Sequence, residues 1–234
     1  MAFERVTAGK VLLGIERFVE RIVDIVVVLL LLIGLYYVYD SSFVLHKASA
    51  DVSAFKPAEG SASALGELSE DCVAWITLYS TNVDYPVMQG SDNMEYLNKD
   101  PFGAYSLTGS IFLDSRNDGT FKDDYSVLYG HHVEGGRMFG ALDAFEDRTY
   151  FAEHRDGELV VDGEFHKIKT FAFTKTEASE GLIFNPDRPG DRLEWIEDNA
   201  AIFEKPEGQR IVALTTCTTA TSMQRTIVFA SILN

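Results

Sequence analysis

Hydrophobic and polar positions divide the chain into three stretches of different rhythm. From Ile22 to Tyr39 the residues read IVDIVVVLLLLIGLYYVY, eighteen positions with one charge, Asp24, near the start. A bilayer-spanning helix takes about 20 apolar residues, so this run predicts a transmembrane segment. Residues 40–68 hold no sustained period, and their Phe55-Lys56-Pro57 and Gly60-Ser61-Ala62-Ser63 suit a stalk with one short helix. Beyond it, β-branched and aromatic runs recur at short spacing: Val73 to Leu78, Asp84 to Met88, Ser110 to Leu113, Tyr125 to Tyr129, Glu158 to Val161, His166 to Phe173, Arg210 to Leu214 and Thr226 to Leu233. Turn signals stand between them at Asp118-Gly119, Gly135-Gly136, Asp156-Gly157 and Asp162-Gly163. About eight such strands predict a mainly β fold, a closed or nearly closed barrel. Helical spacing interrupts the rhythm twice. Arg137 to Glu153 carries Met138, Phe139, Leu142 and Phe145, and Arg188 to Phe203 carries Leu193, Trp195, Ile196, Ala200 and Phe203.

The flanks of the apolar run give it a direction. Arg5, Lys10, Arg17 and Arg21 precede it, and Tyr36, Tyr37 and Tyr39 close it. Basic residues favour the cytoplasmic side and aromatic rings the headgroup zone, which predicts a cytoplasmic N-terminus. A cleaved signal peptide would have a shorter apolar region ending in small residues, so a retained anchor is the better match. The expected organisation is a cytoplasmic N-terminus over 1–21, a transmembrane signal anchor over 22–39, a stalk over 40–68 and an extracellular domain over 69–234.

Composition changes the picture in two respects. The net charge of -16 argues against nucleic acid as a partner, since phosphate binding needs a basic face. Proteins, peptides or cell-wall material are the expected partners. Two cysteines are too few for a disulfide scaffold, although one bridge between Cys72 and Cys217 stays open. Cys72 lies in the apolar run Cys-Val-Ala-Trp-Ile, where a buried, unreactive thiol is the ordinary expectation.

Cys217 has another setting. The apolar run Ile211 to Leu214 delivers it to a polar stretch of small hydroxyl residues, and Arg225 opens the next apolar run. A nearby guanidinium favours a thiolate or stabilises an oxyanion. Upstream, Tyr125 to Gly130 ends in His131-His132. Imidazole suits proton transfer near neutrality, and a glycine before it permits a sharp turn out of the strand into a loop. A Cys and a His distant in sequence but close in a fold are the pattern of a cysteine nucleophile.

These residues also carry a resemblance. Ala213-Leu214-Thr215-Thr216-Cys217 approximates the sortase motif Thr-Leu-x-Thr-Cys, and Tyr129-Gly130-His131-His132 is followed by Gly136-Arg137-Met138-Phe139. Trp75-Ile76, Thr81 to Val87, Asp92-Asn93, Tyr96-Leu97 and Gly109 to Asp114 extend the likeness over roughly residues 70 to 233. The chain resembles a sortase, and more narrowly a class B sortase. The resemblance implies an eight-stranded sortase β-barrel, with the helix near Arg188 to Phe203 inserted between two late strands. It implies a catalytic trio of His131, Cys217 and Arg225, with Thr216 and His132 as secondary substrate-binding candidates. Ala213, where the motif has Thr, is a departure that concerns local strand packing.

The implied reaction is cysteine transpeptidation. The thiolate of Cys217 attacks the Thr carbonyl of a sorting peptide from a secreted surface protein or pilin, and an amine of a cell-wall precursor or a pilin lysine takes over the acyl group. No cofactor is expected. A cysteine endopeptidase, with water as acceptor, is the nearest rival, and a non-catalytic, membrane-anchored binding module is another. Metal chemistry fits poorly. His131-His132-Val133-Glu134 lacks the i, i+4 spacing of a zinc helix, and the stretch from Asp114 lacks the twelfth-place Glu of a calcium loop.

Overall fold

Strand β1 (Cys72–Leu78) and β2 (Asp84–Met88) form an antiparallel hairpin, with Thr77 opposite Asp84. The remaining strands are β3 (Ile111–Leu113), β4 (Tyr125–Val133), β5 (Arg137–Met138), β6 (Asp156–Val161), β7 (Glu164–Glu177), β8 (Ile202–Phe203), β9 (Arg210–Cys217) and β10 (Gln224–Ile232). This computed structural model describes residues 2–47, 52–58, 68–217 and 224–233. The strands follow the order β10-β9-β4-β3-β2-β1-β6-β7, and a further β10–β7 pairing closes the barrel. β5 and β8 are two-residue additions at its margins. All eight runs read as strands in the sequence are strands, and closure leaves the barrel without an open edge.

Alternation along β4, β9 and β10 separates two apolar layers. Leu128, Val212, Leu214 and Val228 face the barrel interior with Ile76, Val87, Phe139 and Phe145. Tyr125, Val127, Ala213, Ile227 and Phe229 face outward. That outer face is covered by the segment between β7 and β8, through Ile183, Ile196 and the partly buried Phe184 and Trp195. Full burial of an Ile is worth roughly 1.5–3 kcal/mol, so a few anchors suffice to hold this insertion on the sheet. A third patch, Trp75 with Val160 and Leu68, receives Val52 and Phe55 from the segment before the barrel.

Both helical segments are shorter than their apolar spacing suggests. Over 137–153 the chain forms β5, a 3-10 stretch (Phe139–Glu146) and helix α2 (Arg148–Glu153). The break falls at Asp147, whose carboxylate accepts from the backbone N–H groups of Thr149 and Tyr150 and so caps a new helix. Over 188–203 only Arg192–Asn199 is helical (α3). Asp191 caps its start, and Ile202 and Phe203 pair with β7 instead.

Ala2–Lys47 is one helix, α1, and forms a compact unit separate from Ala48–Asn234. It continues past Tyr39, where the apolar run ends. Its Arg17–Tyr39 segment has 23 residues, a mean hydropathy of 2.5 and no buried share. At 1.5 Å per residue it is about 35 Å long, enough to cross a hydrocarbon layer of about 30 Å. Of the expected stalk, Ser53–Phe55 is a 3-10 turn, and Gly60 to Ser63 lie outside the described residues.

Candidate active site

β4 and β9 run parallel, and their register matches Tyr129 with Thr215, Gly130 with Thr216 and His131 with Cys217. Hydrogen-bonded strands lie about 4.8 Å apart, so His131 and Cys217 are backbone neighbours at the same end of the barrel. β10 runs antiparallel on the other side of β9, with Ile227 opposite Thr215. Carrying that register on by two residues sets Arg225 across from Cys217. The three residues distant in sequence therefore share one end of three adjacent strands. The side chain of Cys217 and residues Thr218 and Thr219 lie outside the described residues.

His131 and His132 belong to β4 itself, not to a loop. Gly130 serves the close packing of that strand and is no turn. A Cβ there would collide with the Ile111 side chain and lie 2.8 Å from Phe139 Cδ2. His131 is half-buried, and its Nε2 donates to the Leu97 carbonyl at 2.8 Å. That bond fixes the tautomer, and among the described residues Nδ1 has no hydrogen-bond partner, which leaves it as the nitrogen to exchange a proton. His132 points the other way, with Nε2 at 2.7 Å from Asp143 Oδ2. Thr226 donates to the second oxygen of the same carboxylate at 3.1 Å. Thr216 is fully buried. Strand alternation puts it and His132 opposite the face that Tyr129 and His131 share. The two secondary candidates are thus not brought to the groove described next.

Beside the trio lies an open groove of about 260 Å³, lined by Asn93, Met94, Leu97, Phe112, Tyr129, Ala178, Phe184 and Arg225. Arg225 is half-buried and pairs in register with Thr176 of β7. The Tyr129 ring stacks on Phe112, with centroids 5.4 Å apart, and its hydroxyl donates to Asp114 Oδ2 at 3.0 Å. Burial, then the neighbouring Asp114 carboxylate, pushes the Tyr129 hydroxyl far above its ordinary pKa. Tyr129 is a neutral donor here. Asp114 itself is fully buried. Burial raises its carboxyl, but hydrogen bonds from the Arg116 side chain and backbone and from Asn93 outweigh it, leaving the group below the usual carboxylate range.

Cys72 presents a contrast. It is a free thiol, so the bridge to Cys217 left open by the sequence is not formed. Burial pushes its pKa up to about 12. Among the described residues no group of three or more His, Cys, Asp or Glu is placed to hold a metal ion. Phe184 and the Asp114–Arg116 pair were not singled out from the sequence. Asp114 stood in a quoted motif, whereas nothing in the local pattern marks Phe184, which a long insertion brings to the groove.

A sortase-domain family model matches residues 76–233. The sortase B of Listeria monocytogenes is 29% identical over 167 residues, 66% of this chain and 66% of that relative's length. The sortase B of Staphylococcus aureus is 30% identical over 181 residues, 72% of this chain and 73% of its own. Among solved structures, a Streptococcus pyogenes class B sortase involved in pilus biogenesis is similar with a TM-score of 0.66 and 38% identity, covering 72% of this chain and 96% of that one. With the closed barrel and the insertion between β7 and β8, these matches settle the family: the chain belongs to the sortases, a family of cysteine transpeptidases, in their class B branch.

Proposed function

We propose that this chain cleaves a sorting peptide after Thr and joins the Thr carboxyl to an amine, with Cys217 as nucleophile, His131 as acid and base and Arg225 as oxyanion donor. The observation that carries the reading is the strand register, which sets His131 beside Cys217 and, continued by two residues, Arg225 on its other side. The Cys217 thiolate attacks the Thr carbonyl carbon, and the oxygen takes up the charge beside the Arg225 guanidinium. Protonated His131 gives its proton to the departing amide nitrogen, the C–N bond breaks and a thioacyl enzyme remains. An incoming amine adds to the thioester, neutral His131 accepts its proton, and the thiolate leaves.

A pilin is the favoured substrate, with a pilin lysine as acceptor. The relative involved in pilus biogenesis is 38% identical, against 29–30% for the two sortase B relatives. The apolar helix serves as the anchor, with the N-terminus in the cytoplasm and the barrel outside, as the basic and aromatic flanks suggest.

The test is intact-mass analysis of the chain incubated with Thr-containing sorting peptides, with and without lysine-bearing or cell-wall amines, beside Cys217→Ala. The expected result is an acyl adduct on the wild type that passes to an amine and is absent from the variant. Hydrolysis without transfer would move the reading to an endopeptidase. Absence of any adduct would leave a binding module.

A further inference from the structure

One ion pair, its Asp114 carboxylate buried and its Arg116 guanidinium exposed, ties together three sides of the groove. Arg116 Nε donates to Asp114 Oδ1 at 2.8 Å and Arg116 Nη2 to Asp114 Oδ2 at 2.7 Å, a two-point fork. From the first wall, the segment after β2, Asn93 Nδ2 donates to Asp114 Oδ2 at 2.9 Å, and Asn93 Oδ1 accepts from the Ser115 N–H at 2.8 Å. From the floor, the Tyr129 hydroxyl reaches the same Asp114 oxygen at 3.0 Å. Toward the third wall, Arg116 Nη2 donates to the Phe184 carbonyl and Nη1 to Asn185 Oδ1, both at 2.9 Å, which fixes the insertion. Asn93, Tyr129 and Phe184 line the groove, while Asp114 and Arg116 do not.

We propose that the Asp114–Arg116 pair is a positioning device for peptide recognition, holding the three walls at the spacing an extended peptide needs and leaving the nucleophile's chemistry alone. The inference rests on the groove being the peptide site. A carboxylate with no exposure is costly to bury, and its oxygens are spent on groups that build the groove. Loss of the fork at Arg116 frees the insertion wall while the pair's charge can be kept.

The experiment uses Arg116→Lys in the full chain in detergent. Lysine keeps the charge facing Asp114 and cannot reach Phe184 and Asn185 together. The expected result is a KM for the sorting peptide raised roughly tenfold with kcat lowered less than about twofold, the signature of lost binding. Alkylation of Cys217 by iodoacetamide stays at the wild-type rate. Hydrogen exchange rises in 93–97 and in 182–186 together and is unchanged in β6. Asn185→Ala, which removes one surface-side contact, raises exchange in 182–186 alone. Unchanged exchange in both walls overturns the proposal. So does a fall in kcat at constant KM, or slower alkylation of Cys217. If the wild type transfers no peptide, the proposed function fails on that result alone, and the exchange comparison still decides whether the pair holds the walls.

Discussion

His131 and His132 are adjacent in sequence and sit on opposite faces of β4, one toward the outer groove and one toward the barrel rim. The outer imidazole is oriented by a backbone carbonyl, which takes one nitrogen and leaves the other available. The inner one is held by the Asp143 carboxylate, which Thr226 also engages. Strand alternation alone thus gives two identical side chains different surroundings: one imidazole beside Cys217, where the proposed function makes it the proton carrier, and one that cross-links β4, the 3-10 stretch and β10. The largest effect should come from separating them. His131→Ala is expected to lower kcat/KM for peptide transfer by about 10²–10⁴-fold. His132→Ala should cost less than tenfold and lower thermal stability slightly, because a half-exposed pair is worth about 1 kcal/mol or less. Kinetics of the two variants side by side check this, and the reverse order would exchange the roles.

Much of this contrast was legible in the sequence, and part was not. Eight apolar runs became eight strands because short runs of β-branched and aromatic residues bounded by turn signals mark strands even where both faces of the sheet are covered and alternation is lost. The placing of Cys217, His131 and Arg225 at one end of adjacent strands was legible because each ends or begins an apolar run. The path of β4 was not: the histidines read as a loop, yet strand pairing with β9 continues through His131. The helical spacing of 137–153 was genuine apolar patterning that local chemistry cut short at Asp147. The groove wall formed by Phe184 was invisible, since only tertiary packing of the insertion brings it beside Tyr129.

Gly130 sits between Tyr129 and His131 on the inward side of β4. An added methyl would press on Ile111 and Phe139 in the fully buried interior. Overpacking of this kind costs about 1–3 kcal/mol, so Gly130→Ala should lower the urea midpoint without changing the unfolding slope. An unaltered midpoint would mean that the Ile111 and Phe139 side chains shift enough to accept the methyl at no cost.

The outer face also carries a charge whose effect has a definite sign. Asp114 is held below the usual carboxylate range in the folded chain, by hydrogen bonds that outweigh its burial. Its contribution is therefore fully present above the unfolded value, about 3.9, and is lost as pH falls through the lower folded value. Urea midpoints measured from neutral pH downward should fall more steeply for the wild type than for Asp114→Asn, although the variant is less stable at pH 7. Parallel acid limbs would mean that other carboxylates set the slope.

The smallest effect is expected at Cys72, and it bears on how a fold makes one of two thiols reactive. Cys72 lies half-buried at the start of β1, its Sγ 3.7 Å from the Ala74 carbonyl, and burial drives its pKa to about 12. At pH 8 that leaves roughly one thiolate in 10⁴ molecules, and the thiolate is the reacting species. Cys217 closes a strand whose neighbours at that end are an imidazole and a guanidinium, groups that favour the ionised sulfur. Iodoacetamide at pH 8 should therefore modify Cys217 in wild-type protein with Cys72 unlabelled on peptide mapping, and Cys72→Ala should keep peptide transfer within about twofold of wild type. Labelling of both cysteines at similar rates would mean that position in the strand, without the His131 and Arg225 neighbours, does not separate the two sulfurs.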